Sequence, residues 1–120
     1  MQFGLPLIWT EARSRGHSLH DVSEWMCRGP ARLAGLHDRK GRIAPGFDAD
    51  LIVFDDECTD TINAANIRHR HKITPYEGRN VVGRVTSTFL RGQKIYDGQT
   101  VSPSPVGRTL MAEPITERIA

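Results

Sequence analysis

The sequence predicts an α+β chain in which helices come first and strands follow. Helix-spaced apolar residues and helix stop signals occupy residues 1–40, and strand-like runs with a hairpin signal occupy residues 41–98. The length of 120 residues suits one domain and is well below the ~250 residues of a complete (β/α)₈ barrel. No apolar run approaches the ~20 residues of a membrane-spanning helix.

Three short helices are predicted in the first part of the chain. The first runs from Leu5 to Arg15, with Pro6 in its first turn and Gly16 after its end. The second begins at Ser18, where Ser18-Leu19-His20-Asp21 resembles a capping box with Asp in place of Glu, and Gly29-Pro30 is expected to stop it. Pro30 to Leu36 then predicts a third, short helix.

Strand signals follow a turn-rich stretch. Leu51-Ile52-Val53-Phe54 is an apolar run bounded by acids, which predicts a strand covered on both faces. Residues 56–80 are polar and are expected to be irregular. Val81 to Leu90 and Lys94 to Tyr96 predict two strands of a hairpin, joined by a turn at Arg91-Gly92-Gln93.

The predicted elements carry more apolar surface than they can cover among themselves. The strand at 51–54 in particular lacks the neighbours that would bury it on both sides. The sequence therefore reads as a fragment of something larger, divided into residues 1–40, residues 41–98 and a tail over 99–120. Prolines interrupt any regular structure in that tail: Pro103, Pro105 and Pro114.

Charge and cysteine usage exclude several classes of protein. The chain has 16 Lys+Arg against 14 Asp+Glu, and its basic residues are scattered with acids nearby, which argues against a nucleic-acid surface. Cys27 and Cys58 are predicted to be free thiols, with Cys27 on a buried helix face. Residues 1–8 lack the basic region of a signal peptide and the end of the chain matches no ER or peroxisomal address, so a cytoplasmic protein is expected.

Three patterns resemble reactive or metal-binding sites. His69-Arg70-His71 would place two imidazoles on one face of a strand, although loop packing or hydrogen bonding to backbone is the preferred interpretation. Asp48-Ala49-Asp50 resembles a metal or phosphate motif but lies in a Pro-Gly turn, where aspartate typically caps the turn. Cys27 with His17 or His20 lacks the third partner that an activated thiol needs.

The stretch from Gly41 to Asp55, Gly-Arg-Ile-Ala-Pro-Gly-Phe-Asp-Ala-Asp-Leu-Ile-Val-Phe-Asp, resembles the G-x-I-x-x-G-x-D-A-D-L-x-x-x-D signature near the C-terminus of amidohydrolase-superfamily enzymes. Upstream, the resemblance to the last barrel helices of the cyclic-amide branch rests on Leu5-Pro6, Trp9 to Ala12, Ser23 to Met26 and Pro30 to Leu36. Downstream, His69 to Arg79 and Thr88 to Gly92 resemble allantoinases more closely than dihydropyrimidinases or dihydroorotases. The resemblance covers residues 2 to about 98.

This resemblance implies that residues 1–40 are the last helices of a (β/α)₈ metal-dependent hydrolase barrel and that residues 41–98 are part of its small composite β-sandwich. The complete enzyme would hydrolyse the cyclic amide of (S)-allantoin to allantoate, a step of purine catabolism, with water activated by two divalent metals, usually zinc. The family's ligands are an HxH pair, a carboxylated lysine, two further histidines and an aspartate, and all of them would lie upstream of Met1. No catalytic, metal-ligating or substrate-binding residue is therefore predicted in this chain, and the chain alone is expected to be inactive and to bind no cofactor.

Two alternatives stay open at this point. The chain could be a short non-catalytic interaction or accessory module, or it could belong to a related cyclic amidohydrolase of the dihydropyrimidinase or hydantoinase kind. Homo-oligomers are common among the enzymes it resembles, with a small-molecule substrate and without nucleic-acid or membrane partners.

Overall fold

A computed structural model describes residues 2–111. Helix α1 spans Gly4–Ser14, one residue earlier at each end than predicted. Its buried side chains recur every three residues, at Pro6, Trp9 and Ala12, so that one face of the helix points into the protein.

Two hydrogen bonds made by polar side chains of α1 connect this helix to the sheet. The Trp9 indole Nε1–H donates to the carbonyl of Asp56 at 2.9 Å, and the Val82 N–H donates to Thr10 Oγ1 at 2.8 Å. The first bond gives a buried indole the acceptor that it needs. Together they fix the position of α1 against the sheet.

The second helical segment is longer than predicted. Helix α2 spans Leu19–Ser23, and the predicted capping box is confirmed, since Ser18 and Asp21 exchange side-chain-to-backbone hydrogen bonds. A π-helical turn over Glu24–Arg28 follows, and helix α3 spans Gly29–Leu33.

The expectation that Gly29-Pro30 stops the second helix was wrong. Proline normally breaks a helix because it lacks an N–H and its ring collides with the carbonyl four residues earlier. Here the wider π-turn comes directly before the proline, with the Gly29 N–H donating to the Glu24 carbonyl. The chain thus enters α3 with Pro30 in its first turn, where proline is tolerated.

The strands form one antiparallel sheet in the order β1-β2-β3. Strand β1 spans Leu51–Thr61, β2 spans Asn80–Leu90 and β3 spans Gln93–Tyr96. Strand β1 is seven residues longer than the apolar run that predicted it, and residues 56–61 are extended rather than irregular, which is a second correction. Two register shifts, one between Val53 and Phe54 and one between Asp55 and Thr59, let this long strand follow its partner.

The predicted hairpin is confirmed, with a two-residue turn at Arg91-Gly92. Both residues have positive φ, 47° and 81°, which is the geometry that matches the twist of a two-stranded ribbon. The Gly92 N–H also donates to the Ala49 carbonyl at 2.9 Å, so the turn contacts the entry of β1. Arg91 Nη2 donates to the Val106 carbonyl at 2.6 Å and Val101 bridges to Tyr96, so residues 101–106 return to the hairpin.

The core is small for the apolar surface present. Trp9, Ala12 and Val22 form its buried cluster. Leu33 is 92% exposed and Ile43 is 87% exposed. The predicted burial of strand 51–54 on both faces does not hold within the described residues, because Ile52 and Val53 are about half exposed. Residues 112–120 of the predicted tail lie outside the described part of the chain.

Candidate functional site

A concavity with a volume of about 900 Å³ lies between the start of α1, the segment 60–72 and strand β2. Its charged groups already have partners. Arg84 Nη2 lies 2.8 Å from Asp60 Oδ2, and this hydrogen bond lowers the pKa of the Asp60 carboxyl. Arg68 donates to the Gln99 carbonyl at 2.6 Å, and Lys72 donates to the carbonyl of Ile67.

An ionised carboxylate held by a guanidinium cannot deliver a proton at neutral pH. Asp60 is therefore not a general acid, and its pairing with Arg84 is a structural ion pair across β1 and β2. The charged side chains that line the concavity are therefore all held by partners among the described residues.

His69 and His71 are both exposed, on the segment that leads from the concavity towards Thr74-Pro75-Tyr76. In the described range 2–111, no cluster of three or more histidine, cysteine or acidic side chains could hold a metal ion. The metal role of His69 and His71 was the disfavoured interpretation, and the metal ligands that the resemblance implies were expected upstream of Met1. The backbone hydrogen bonds expected of this motif come instead from its neighbours Arg68 and Lys72.

Asp48 and Asp50 form an electrostatic clasp between the turn at 36–50 and the hairpin. Asp48 accepts from Arg39 Nη2 at 2.9 Å and lies 2.8 Å from Lys40 Nζ. Asp50 pairs with the same Lys40 ammonium and accepts from the Arg91 N–H at 2.9 Å.

The titration behaviour of the clasp follows from these contacts. The Lys40 and Arg39 hydrogen bonds lower the pKa of Asp48. Burial opposes ionisation of Asp50, but the Lys40 ammonium and the Arg91 N–H together lower its pKa. Burial likewise disfavours the Lys40 cation, and its two carboxylate partners outweigh this and raise its pKa. A site already holding an ammonium repels a metal cation, which supports the turn-capping interpretation of Asp48-Ala49-Asp50 over the metal one.

The thiol candidates do not come together. Cys27 is exposed on the π-turn, so its predicted place on a buried helix face was wrong, and both cysteines are free. His17 instead packs edge-on against Trp25 with ring centroids 4.9 Å apart, and its Nδ1 lies 3.8 Å from Asp21 Oδ2. The π-turn rotates Cys27 outwards because it changes the helical phase after Ser23.

Sequence reasoning missed a convergence of basic side chains, since it treated the arginines as scattered. Five basic side chains line one small pocket beside α3: Arg28, Arg32, His37, Lys40 and Arg42. The available signal was their density between residues 28 and 42, but only the fold shows that they face a common space.

The described residues contain no helix that is long and apolar enough to cross a membrane. The prediction that catalytic, metal-ligating and substrate-binding residues all lie outside this chain stays a prediction.

Comparison with known proteins gives consistent results. The Amidohydrolase family matches residues 4–95. The chain is 48% identical to an allantoinase of Streptomyces avermitilis, over 95% of this chain and 25% of that protein, and 42% identical to an allantoinase of Saccharomyces cerevisiae, over 90% of this chain and 23% of that protein. Among solved structures it is similar to the L-hydantoinase (dihydropyrimidinase) from Arthrobacter aurescens, with a TM-score of 0.75 and 34% identity over 81% of this chain and 22% of that one. The chain thus spans about a quarter of the length of the curated relatives that it matches.

Proposed function

Since the chain belongs to the amidohydrolase family, we propose that it is part of an allantoinase, an enzyme that opens the cyclic amide of allantoin by hydrolysis to give allantoate. The observation that carries this proposal is the 48% identity to a curated allantoinase over 95% of the chain. Identity to the hydantoinase structure is lower, at 34%, which favours allantoin over hydantoins as the substrate class.

Within such an enzyme, these residues would serve as scaffold. Helix α1 and the π-containing segment would be the last helices of the barrel, and the three-stranded sheet would be part of the small β-sandwich. The partnered charges of the concavity and of the clasp support this role, because each contributes a fixed tie between elements rather than a free acid, base or nucleophile.

On the resemblance, the two divalent metals of the whole enzyme would be held by residues upstream of Met1; within residues 2–111 no group of three or more histidine, cysteine or acidic side chains lies together. The chemistry that such metals supply is activation of water and polarisation of the carbonyl under attack. A chain lacking their ligands should neither bind them stoichiometrically nor turn over substrate.

The test compares two proteins. The native polypeptide that carries this sequence is purified from its source cells with an antibody against residues 60–80, sized, and assayed with allantoin, hydantoin and dihydrouracil. The 120-residue chain is made alone and assayed in parallel for turnover and for bound zinc.

We expect a native band far above 13.4 kDa that hydrolyses allantoin in preference to the other two rings. The isolated chain should bind less than one zinc and hydrolyse none of them. Preference for hydantoin or dihydrouracil would transfer the assignment to the hydantoinase branch. A native band at 13.4 kDa without turnover would support a non-catalytic module, and stoichiometric zinc with turnover in the isolated chain would overturn the scaffold role.

A further inference from the structure

A pocket of about 130 Å³ between α3 and the loop 37–42 is lined by basic residues alone. The lining set is Arg28, Arg32, His37, Lys40 and Arg42. Pockets for drug-sized ligands measure roughly 300–1,000 Å³, while one water molecule takes up about 30 Å³. The space therefore suits a small ion rather than a metabolite.

The pocket is assembled by a close approach of the loop to the helix. Gly41 has a φ of 93°, and a Cβ added there would lie 2.7 Å from the Ala31 Cβ and 3.0 Å from the Cys27 carbonyl oxygen. Only glycine can make this contact. It sets the flanking residues Lys40 and Arg42 beside the helix.

The helix supplies the other side of the pocket. Arg28 ends the π-turn and Arg32 follows four residues later in α3, so both lie on the same stretch of helix surface. Arg28 and Lys40 are held in place by carboxylates, with Arg28 Nη1 3.0 Å from Glu24 Oε1 and Lys40 Nζ paired in the clasp.

The remaining lining residues are not neutralised by the protein. In the part of the chain that the structure describes, Arg32, His37 and Arg42 form no ion pair within 4.0 Å and donate no side-chain hydrogen bond. Arg42 lies over the Phe47 ring, 4.6 Å from its centroid, which fixes the guanidinium and leaves its N–H groups available. All three residues are exposed, so solvent anions can reach them.

We propose that this pocket binds inorganic phosphate. Arg32 lies on the helix side of the pocket and Arg42 on the loop side. Their planar guanidinium groups can each donate two parallel hydrogen bonds, which suits the oxygens of a tetrahedral dianion. Arg28 and Lys40 also line the pocket, but both are paired with carboxylates, so the arginines that remain available to an anion are Arg32 and Arg42. The proposal is independent of the proposed function, because it uses no residue of the concavity and assumes no substrate.

The experiment is a phosphate titration of the native polypeptide that carries these residues, by isothermal calorimetry at pH 7.5, with ionic strength held constant by sodium chloride. The variant is Arg32→Ser with Arg42→Ser. The matched control is Arg70→Ser with Arg108→Ser, which removes the same charge from exposed positions outside the pocket. Thermal melting of each variant checks that the fold is retained, and Arg32→Lys with Arg42→Lys keeps the charge while removing the forks.

We expect saturable binding of one phosphate per chain. The paired serine variant should weaken it at least about tenfold, the lysine variant should weaken it less, and the control should leave it unchanged. Absence of phosphate binding in the parent protein would overturn the proposal. That result is what would be seen if the rest of the native polypeptide filled the pocket. Equal loss in the variant and the control would also overturn it, since the effect would then be one of net charge alone.

Discussion

Replacing Gly83 by alanine should destabilise the protein by about 3 kcal/mol, because the position has neither the backbone freedom nor the space for a side chain. Gly83 is buried within β2 with a φ of 104°. An added Cβ would lie 2.2 Å from Phe54 Cζ and 3.0 Å from Trp9 Cδ1. Phe54 and Trp9 both belong to the core or pack against it, so neither can move away without opening a gap.

Two destabilising contributions and one stabilising contribution make up this value. Positive φ at a residue with a Cβ costs roughly 1–3 kcal/mol. Overpacking of a well-filled core by one methyl group costs another ~1–3 kcal/mol. Alanine recovers about 0.4–1 kcal/mol through the lower entropy of its unfolded chain, which leaves the net value near 3 kcal/mol.

The measurement is urea unfolding of the native polypeptide, followed by tryptophan fluorescence. Gly16→Ala is the matched control, because Gly16 has a φ of 80° and nothing within 4 Å of an added Cβ. Gly16→Ala should therefore cost only about 1 kcal/mol. In a Phe54→Leu background, the loss of unfolding free energy caused by Gly83→Ala should fall towards the value for Gly16→Ala. In the parent protein, a loss for Gly83→Ala no larger than that for Gly16→Ala would refute the packing argument.

Three further changes test local features. Ser18→Ala removes the capping oxygen that accepts from the Asp21 N–H and should cost about 1 kcal/mol in the same urea assay; no change would mean that α2 does not depend on its cap. Trp9→Phe removes one of two donors to the Asp56 carbonyl, since Arg13 Nη1 also donates to it at 3.0 Å, and should cost roughly 1 kcal/mol; no cost would mean that Arg13 alone satisfies this carbonyl. The backbone N–H groups of Thr100 and Gln99 donate to the Asp97 carboxylate and lower its pKa to about 2. Its ionised form therefore stabilises the turn at pH values above the unfolded pKa near 4, and this stabilisation is lost as the pH falls towards 2. Asp97→Ala should thus lower the melting temperature more at pH 6 than at pH 2, and an equal difference at both values would contradict this linkage.

The features that the sequence predicted well are those decided by neighbouring residues. The capping box at Ser18 needs only Asp21 three residues on, and the hairpin turn needs only Arg91 and Gly92. Such interactions act over a few residues, so their pattern is readable before the fold is known. The helix of residues 4–14 was predicted for the same reason.

The errors arose where distant residues decide the structure. Strand β1 extends beyond its apolar run because Thr59, Asp60 and Thr61 pair with residues 80–82 of β2, while residues 56–58 form an irregularity without β2 partners. The π-turn before Pro30 cannot be read from apolar spacing, and it in turn moved Cys27 to the surface. In β1, pairing with a distant strand decided the length of the element.

In the candidate sites, too, local features were predicted from the sequence and contacts between distant residues were not. That Asp48 and Asp50 lie in a turn could be predicted from the adjacent Pro-Gly, but not that Lys40 bridges them. The pocket beside α3 joins helix and loop residues through the contact of Gly41 with Ala31. The spacing of residues in the sequence does not predict that contact.

Strand β1 has one neighbour among the described residues, so one of its sides presents unpaired N–H and C=O groups. Its second half carries Asp55, Glu57 and Asp60, and charges of this kind discourage another chain from adding a strand. Its first half carries the half-exposed Ile52 and Val53 with no such protection. When the 120-residue chain is expressed alone, aggregation should therefore begin at residues 51–54, and a charged substitution such as Val53→Lys should raise its soluble yield.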